Sequence, residues 1–441
     1  MSKSKLIIIT IIILIFALLG VGYFYISRTN TNTTTEGTKT EENFLYNIFS
    51  FGNKTNIPNP INNLVNFITG NKDGEEGEVV VKNKLNKISS MPISGYGILE
   101  KERYVVVPDV DVNTITEENK NTPVAPNTEI VSVLKYADKT TGNIYQTFVD
   151  EIEERKFSET IIPFVHESFF TQNGVIMRYL RNNTVISTFL GELPKEVLGA
   201  DTSDGNEIFG TFLPEGIRDI SISPNNKKVF YLSNTKNGVV GILIEEDNSN
   251  KTQIFDSPFT EWISFWVNND LLTLTTRPSS TVLGYSYVLD PNTKFFNKLL
   301  SGIKGLTTLM SADGETILYS NNNLSLNIFS VNRSESKNLK LRTHTEKCVW
   351  AGDNITVYCA IPKYIDNTLT YPDSWYQGEI SYDDEIYKIN IETGQRTKLV
   401  NPSEIYSDAT IDAINLKLDK NEENLFFMNK YDSYLWGLKL K

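Results

Sequence analysis

A recurring hairpin unit constrains the fold of this chain more than any other feature of its sequence. Each unit has an apolar strand, a short polar turn and a second strand rich in β-branched and aromatic residues. Three clear copies occupy residues 220–232, 306–319 and 414–427. Asn, Asp, Gly and Pro at the turns supply the backbone conformations that hairpins require. The pattern therefore predicts an all-β fold built from similar pieces.

The spacing of these units predicts their arrangement. Matching turns fall near residues 172, 224, 268, 312, 352 and 420. Most intervals are about 40 to 50 residues, the period of a four-stranded propeller blade. The long last interval contains an insertion at 363–382, and a further unit at about 91–158 brings the count to seven. We expect a seven-bladed β-propeller over residues 90–441, because a closed ring buries both faces of each sheet. An array of β-sandwiches is the alternative.

Two turns resemble those of a known repeat family. Residues 223–228 read Ser-Pro-Asn-Asn-Lys-Lys, and residues 311–315 read Ser-Ala-Asp-Gly-Glu. They are similar to the Ser-Pro-Asp-Gly-Lys consensus of TolB-like and WD40-like propeller repeats. The Trp-Asp pair of true WD40 repeats is missing, and the resemblance implies the fold alone. The whole layout also resembles membrane-anchored bacterial propellers that have no established function.

The N-terminal region carries a long apolar segment. Residues 6–26, which begin with Leu6 and end with Ile26, contain no charged side chain. A helix of this length spans roughly 30 Å, the thickness of a bilayer core. Lys3 and Lys5 precede it and predict a cytoplasmic N-terminus. We therefore expect residues 1–27 to hold an uncleaved anchor in the lipid bilayer of the cell membrane, with the propeller extracytoplasmic. A cleaved signal peptide is the alternative, although its apolar part is usually shorter.

Residues 28–89 have the composition of a stalk. Residues 29–43 are rich in Thr and Asn and hold too little apolar surface to fold. Residues 61–68 space their apolar side chains as a one-sided helix does. That short segment is expected to lie on the bilayer surface, to dock on the propeller, or to stay loosely ordered.

The charge balance argues against a nucleic-acid partner. The chain has 42 Lys and Arg against 54 Asp and Glu, a formal net charge of −12. Residues 88–441 alone carry 33 bases and 47 acids, a net charge of −14. Sequence-independent binding to nucleic acid requires a basic surface. An acidic domain is also repelled by an anionic bilayer, so the stalk is expected to hold it away from the membrane.

The two cysteines predict a disulfide. Cys348 and Cys359 flank a turn at 351–354. If Asp353 and Asn354 form that turn, the two cysteines lie opposite each other on paired strands, within reach of a bond. The expected extracytoplasmic location favours oxidation. Two buried structural thiols are the alternative.

Catalytic patterns are absent from the sequence. The two histidines, His166 and His344, lie in no metal-spaced cluster and beside no nucleophile motif. A glycosidase needs two carboxylates placed across a cleft, and sequence does not define that geometry. Acidic pairs such as Asp383 and Asp384 are typical of solvated turns. We therefore predict no catalytic residue, no metal site and no cofactor, and an enzyme is the less favoured class.

The insertion at 363–382 is the best candidate for a binding surface. Its five aromatic side chains surround Pro372: Tyr364, Tyr371, Trp375, Tyr376 and Tyr382. Because Trp and Tyr dominate binding hot spots, the sequence predicts a recognition patch for an envelope protein or a glycan. The alternative is that these rings pack over the neighbouring blade. The preferred function is a protein-interaction or scaffolding module at the cell surface, and the second is a glycan-binding or carbohydrate-active propeller.

Overall fold

The computed structural model describes residues 84–104, 128–151, 153–181, 185–195, 206–407 and 409–441. These residues belong to one compact unit, Val80–Lys441. The predicted anchor at 6–26 and the stalk up to residue 83 lie outside the described residues. Within the described ranges, no helix has the length and apolar character needed to cross a bilayer.

The described residues form 28 strands in seven four-stranded antiparallel sheets. The first strand of the described residues, β1 (Leu85–Lys87), belongs to the last blade. Blade 1 contains β2 (Ile93–Tyr104), β3 (Thr128–Asp138), β4 (Ile144–Phe148) and β5 (Arg155–Lys156). Blade 2 contains β6 (Val165–Phe170), β7 (Gly174–Arg181), β8 (Val185–Glu192) and β9 (Phe209–Phe212). Blade 3 contains β10 (Ile217–Ile222), β11 (Lys228–Thr235), β12 (Gly238–Glu245) and β13 (Thr252–Ser257). Blades 4 and 5 contain β14 (Trp262–Asn268), β15 (Leu271–Thr276), β16 (Leu283–Leu289) and β17 (Phe296–Lys304); and β18 (Thr307–Met310), β19 (Thr316–Ser320), β20 (Ser325–Ser330) and β21 (Glu335–Arg342).

Blades 6 and 7 complete the ring. They contain β22 (Cys348–Trp350), β23 (Thr356–Pro362), β24 (Asp384–Asn390) and β25 (Arg396–Val400); and β26 (Ala413–Leu418), β27 (Asn424–Asn429), β28 (Leu435–Lys439) and β1. Two short helices, α1 (Asp373–Tyr376) and α2 (Pro402–Ile405), and a 3-10 turn at Thr345–Lys347 lie in the connections of this half.

Blade 7 is closed by the beginning of the described chain. Its strand order is β1-β28-β27-β26, and Leu85 of β1 pairs with Leu438 of β28. This pairing ties the two ends of the described chain together and closes the ring of blades, which leaves no open end for another chain to extend. The seven sheets confirm the predicted TolB-like seven-bladed β-propeller and exclude the sandwich array.

The hydrophobic core lies between neighbouring blades. In β11 four consecutive residues, Val229 to Leu232, are all buried although they alternate between the two faces of the sheet. Phe230 and Leu232 pack in one cluster with Trp262 and Trp266 of blade 4. A strand covered on both sides is apolar at every position rather than at alternate positions. This explains why the second strand of the hairpin unit has the strongest apolar signal.

The Ser-containing turn motif has a structural role. The Ser311 Oγ accepts a hydrogen bond from the backbone N–H of Thr316 at 3.0 Å and donates to the Asp313 carboxylate at 2.5 Å. Gly314 follows with φ 75°, in the left-handed region that favours glycine. The turn at Ser223 is closed by the same kind of bonds. The motif is conserved within the chain because it closes a hairpin, and it carries no reactive group.

The predicted disulfide is confirmed. Cys348 of β22 is registered opposite Cys359 of β23, their Cα atoms are 4.1 Å apart, and the two sulfur atoms are bonded. The connection is longer than the predicted Asp353-Asn354 turn. The Ala351 N–H donates to the Thr356 carbonyl at 2.9 Å and the Asn354 N–H donates to the Ala351 carbonyl at 3.2 Å, so four residues, 352–355, join the strands. Asn354 adopts φ 55°, and the register is the one that the prediction required.

Reducing this disulfide is expected to lower the free energy of unfolding by about 2–3 kcal/mol, because it closes a loop of only 11 residues. Equilibrium urea unfolding with and without a thiol reductant measures the difference. The double variant Cys348→Ala/Cys359→Ala is the control, and reductant should not shift its midpoint. An unchanged midpoint for the unmodified protein would contradict this expectation.

Candidate functional site

The propeller has two chemically different ends. One end carries the first-to-second and third-to-fourth strand turns of the blades, and we call it the turn face. There Gln172 donates its backbone N–H to Asn226 in the next blade at 2.8 Å, and the Asn268 side chain donates to Ala312. The opposite end carries the second-to-third connections and the links between blades. We call it the insertion face, because the 363–383 connection of blade 6 lies on it.

The insertion reaches well beyond its own blade. The backbone N–H of Ser280 in blade 4 donates to the Asp373 carboxylate at 2.9 Å. The Lys430 ammonium in blade 7 donates to the Trp375 carbonyl, also at 2.9 Å. Gly378, with φ 76°, follows the single turn of α1 and lets the chain turn back toward β24. The insertion therefore spans the insertion face from blade 4 to blade 7.

Three of the five predicted surface aromatics are buried in this arrangement. Tyr371, Trp375 and Tyr382 are at most 3% exposed and pack with Leu324 of blade 5. The Trp375 ring stacks on the His344 ring with centroids 4.4 Å apart. These side chains hold the insertion on the propeller, and they are not available for contact with a partner while it is docked.

The other two aromatics remain accessible. Tyr364 is 76% exposed and Tyr376 is 37% exposed. The Tyr376 hydroxyl donates to the Glu346 carboxylate, which lies just before β22, the first strand of blade 6. Of the five predicted aromatic side chains, therefore, Tyr364 and Tyr376 are the two that are exposed on the insertion.

A buried ionic cluster lies beneath the insertion. Lys347, Asp384 and Asp412 are each 0% exposed. The Lys347 Nζ is 2.7 Å from the Asp384 Oδ2, bonds to the Asp412 Oδ1, and donates to the Ala413 carbonyl at 3.0 Å. The Trp375 indole N–H donates to the Asp412 Oδ2 at 2.9 Å. The ring that anchors the insertion is thus bonded to the ions below it.

Burial shifts the pKa of two groups at this site, Asp384 and His344. It raises the pKa of Asp384 above its ordinary value, and Lys347 opposes that effect only in part. It lowers the pKa of His344 well below the ordinary range, helped by the positive charges of Lys347 and Lys430. His344 is therefore a neutral ring in the core, and His166 is an exposed residue of β6.

Two carboxyl groups from non-adjacent blades, those of Asp219 and Glu346, are close enough for the charge of one to act on the other. Asp219 is on β10 and Glu346 precedes β22, both in the first-strand layer around the axis. Burial raises the pKa of Asp219 to about 6, against hydrogen bonds from Ser264 and the charge of Arg277. Surrounding protein also raises the pKa of Glu346, a solvent-exposed residue, and the charge of Asp219 adds to that shift. The sequence did not single out either carboxylate, because blades 3 and 6 come together only in the closed ring.

Exposed apolar side chains are concentrated on the insertion face. Seventeen large hydrophobic side chains are exposed among the residues that the structure describes. By the strand order, eleven lie in connections or strand ends of the insertion face, and five lie at the turn face. The eleven are Ile161, Phe164, Leu180, Ile186, Phe212, Phe259, Val282, Leu283, Tyr364, Tyr376 and Tyr431. Exposed apolar groups that gather on one side of a protein are typical of an interaction surface.

The turn face has a cavity of about 1040 Å³ between blades 1, 2 and 3. Its lining mixes charges of both signs, including Arg103, Lys195, Glu192 and Glu246. Arg103 is already held by Glu129 and Asp150 at 2.8 and 2.6 Å. In the described part of the chain, no group of three His, Cys, Asp or Glu side chains is placed to hold a metal ion.

Comparison with known proteins yields structural likeness only. No protein-family model and no curated protein sequence matches the chain. TolB from Acinetobacter baumannii is similar over 59% of this chain and 60% of its own, with 11% identity and a TM-score of 0.38. An oligogalacturonate lyase from Vibrio parahaemolyticus is similar over 78% and 98%, with 10% identity and a TM-score of 0.44. The tricorn protease is similar over 67% of this chain but 27% of its own, with 9% identity and a TM-score of 0.35.

This chain therefore spans less than two thirds of that TolB and of the tricorn protease. At such identities the likeness concerns the fold alone. The assignment of a seven-bladed propeller depends on the seven sheets of this chain and on their closure through β1.

Proposed function

We propose that this protein is a membrane-anchored, extracytoplasmic scaffold whose insertion face binds another protein of the cell envelope. The observation that carries this proposal is the concentration of exposed apolar side chains on that face. Apolar side chains kept in water are costly unless a partner covers them.

The position of the chain ends supports the same face. Leu85 pairs with Leu438, and Lys439 donates its backbone N–H to Lys84, so both ends of the described chain lie at the turn face. A tether that enters there leaves the insertion face unobstructed. The disulfide between Cys348 and Cys359 also fits an oxidising compartment.

The rigidity of the insertion supports a binding role. Hydrogen bonds to Ser280 and Lys430 and the buried Trp375 hold it against three other blades. A surface that is ordered before binding loses less conformational entropy when the partner arrives. Tyr364 and Tyr376 are thus presented on a fixed platform.

Paired surface variants of the full-length protein test the proposal by chemical crosslinking in intact cells. Phe259→Ser/Ile161→Ser changes two exposed residues of the insertion face, and Phe295→Ser/Ile130→Ser changes two equally exposed residues of the turn face. We expect the first pair to reduce the crosslinked yield of a defined envelope protein by about tenfold, as loss of interface contacts does. The second pair should leave the yield unchanged. Equal yields from both pairs would overturn the proposal.

The topology has a separate test. A membrane-impermeant amine reagent applied to intact cells is expected to label exposed lysines of the propeller, such as Lys251 and Lys420. A cytoplasmic protein serves as the control for cell lysis. Labelling of those lysines only after lysis would place the propeller in the cytoplasm and contradict the topology, while leaving the interaction face to be judged by crosslinking.

A carbohydrate-active propeller is the second candidate, and the electrostatic interaction between the carboxyl groups of Asp219 and Glu346 favours it. An acid with a pKa near 6, as for Asp219, is suited to donate a proton to a leaving group. In this case Asp219→Asn and Glu346→Gln should each reduce polysaccharide hydrolysis by at least ~100-fold. Asp247→Asn, at an exposed turn, is the control. Hydrolysis that survives both changes would exclude this site.

A further inference from the structure

The ionic cluster differs from an ordinary ion pair because one lysine contacts two aspartates. Lys347 is enclosed by two carboxylates and by the rings of Trp375 and Tyr382, whose centroids are 5.5 and 5.3 Å from its Nζ. The cluster is fully buried and carries one positive charge against two acidic groups. Such a composition disfavours full ionisation, because a dry site penalises an uncompensated charge.

The two acids are held differently. Asp412 has partners on both oxygens: Lys347 on Oδ1, and the Trp375 indole and the Tyr382 backbone N–H on Oδ2. Asp384 accepts from Lys347 and from the backbone N–H of Ala413 through Oδ2 alone. Its Oδ1 is buried and has no hydrogen-bond partner among the described residues. A buried carboxylate oxygen without a donor is unusual and needs an explanation.

We propose that Lys347 and Asp384 condense spontaneously into an intramolecular isopeptide bond. The Lys347 Nζ bonds to the Asp384 Cγ, and the bond between Cγ and Oδ1 breaks. The unpartnered Oδ1 is thus the oxygen that leaves as water. This proposal does not depend on the function proposed above.

The reaction balances without any co-reactant. An ammonium and a carboxylate give one amide and one water, with the same net charge before and after. Two of the three Nζ protons leave with Oδ1, and the third stays on the amide. Asp412 bonds to Nζ and is placed to accept a proton from it and to return the proton to the departing oxygen. Asp412 is therefore the general acid and base, and Asp384 is the electrophile.

The site favours both the rate and the product. The two reacting groups are already in hydrogen-bond contact, and effective molarities for well-oriented intramolecular reactions reach about 10⁵–10⁸ M. The absence of solvent exposure opposes hydrolysis of the amide, because water has little access to it. The raised pKa of Asp384 acts in the same direction, because a protonated carboxyl group loses its oxygen more readily.

The product fits the surroundings of the cluster. The remaining Asp384 Oδ2 becomes the amide oxygen and keeps the hydrogen bond from Ala413 at 2.8 Å. The amide N–H can donate to the Ala413 carbonyl or to Asp412, both of which Nζ already contacts. Lys347 lies directly before β22 and Asp384 begins β24, so the bond ties the first strand of blade 6 to the third. The disulfide already ties the first strand to the second.

Mass spectrometry of the purified full-length protein tests the proposal. After reduction of the disulfide, the expected intact mass is lower than the sequence mass by one water. Tryptic digestion should give a branched peptide in which Lys347 is not cleaved and is joined to the peptide that contains Asp384. Because cyclisation of an aspartate or asparagine also removes water, the fragment spectrum of the branched peptide decides.

The chain offers its own matched control. Lys363 and Asp383 form a lysine–aspartate pair at 2.8 Å, nearly the same distance, but both are solvent-accessible. We expect no branch between them. Lys347→Arg keeps the charge but removes the amine, and it should restore the full mass. Asp412→Asn should leave most molecules unlinked.

An intact mass with no loss of water in the unmodified protein would overturn the proposal. A branch that joins Lys347 to Asp412 instead would overturn the assignment of roles. A branch at Lys363 as frequent as at Lys347 would show that burial is irrelevant, and would overturn the physical argument.

Discussion

Replacing Trp375 by alanine is expected to lower the free energy of unfolding by about 3–5 kcal/mol, the range for removing a large buried aromatic side chain. Trp375 is 2% exposed and stacks on His344. Its indole N–H is also a hydrogen-bond donor to Asp412, so the variant leaves a buried carboxylate with one donor fewer. Urea unfolding of the protein, followed by tryptophan fluorescence and circular dichroism, measures the loss.

The same variant should release the insertion. Limited proteolysis is expected to cut Trp375→Ala within residues 363–383 faster than the unmodified protein, because the insertion depends on this ring for its contact with blades 6 and 7. Tyr364→Ala is the matched control, since it removes an aromatic ring of the same insertion that is 76% exposed. That change should stay within about 0.5 kcal/mol of the unmodified protein. Equal effects from the two variants would contradict the packing described for the insertion.

Replacing Lys347 by methionine is expected to cost about 3–5 kcal/mol at neutral pH, as removal of one partner from a buried ion pair does. The change leaves Asp384 and Asp412 facing each other in a fully buried site with no ammonium between them. The Lys430 Nζ lies 4.8 Å from the centroid of the Trp375 ring and donates to the Trp375 carbonyl. The loss is expected whether Lys347 is present as an ion or as an amide. Chemical denaturation at pH 7 measures it.

The variant should also respond to pH with a definite sign. In Lys347→Met neither carboxyl group can form an amide with residue 347, so both remain titratable. Burial and repulsion from Asp412 hold the pKa of Asp384 above its unfolded value. The folded state then binds more protons than the unfolded state between the two pKa values. Stability of the variant should therefore rise as the pH falls from neutral through the raised folded pKa, and level off below the unfolded pKa, near 4.

The control for both measurements is Lys363→Met. Lys363 pairs with Asp383 at 2.8 Å, but the pair is exposed to solvent, so its loss should cost under about 1 kcal/mol. Its stability should show no added gain on acidification. A Lys347→Met protein that matches Lys363→Met in stability at pH 7 would show that the buried cluster has little energetic importance.

The repeating part of the fold was accessible from sequence because its causes are local. A hairpin unit such as 306–319 contains its own turn residues, and the pattern of apolar residues along its strands indicates which faces of the sheet are buried. The disulfide between Cys348 and Cys359 was predictable for the same reason, because the short turn between β22 and β23 sets the register of its hairpin. Counting such units gave the number of blades, and ring closure followed from the need to bury both faces of each sheet.

The sites were not accessible in the same way. Lys347, Asp384 and Asp412 are separated by long segments of chain, and a lysine or aspartate beside a strand is usually solvated. The aromatic content of the insertion was visible, but not that Tyr371, Trp375 and Tyr382 point inward while Tyr364 and Tyr376 point outward. Asp219 and Glu346 belong to blades 3 and 6, and the charge of Asp219 acts on Glu346 only after the ring has closed.

For this protein, the sequence by itself determined what depends on short-range geometry and composition. Those features are the hairpins, the blade period, the disulfide register, the acidic character of residues 88–441 and the expectation of an N-terminal anchor. Only the tertiary structure decided which face gathers the exposed apolar side chains and which lysine is locked between two acids. The physical reason is that burial and contact between distant blades exist only after the ring closes. Burial and contact determine how reactive a charged group is and whether an aromatic side chain is exposed to a partner.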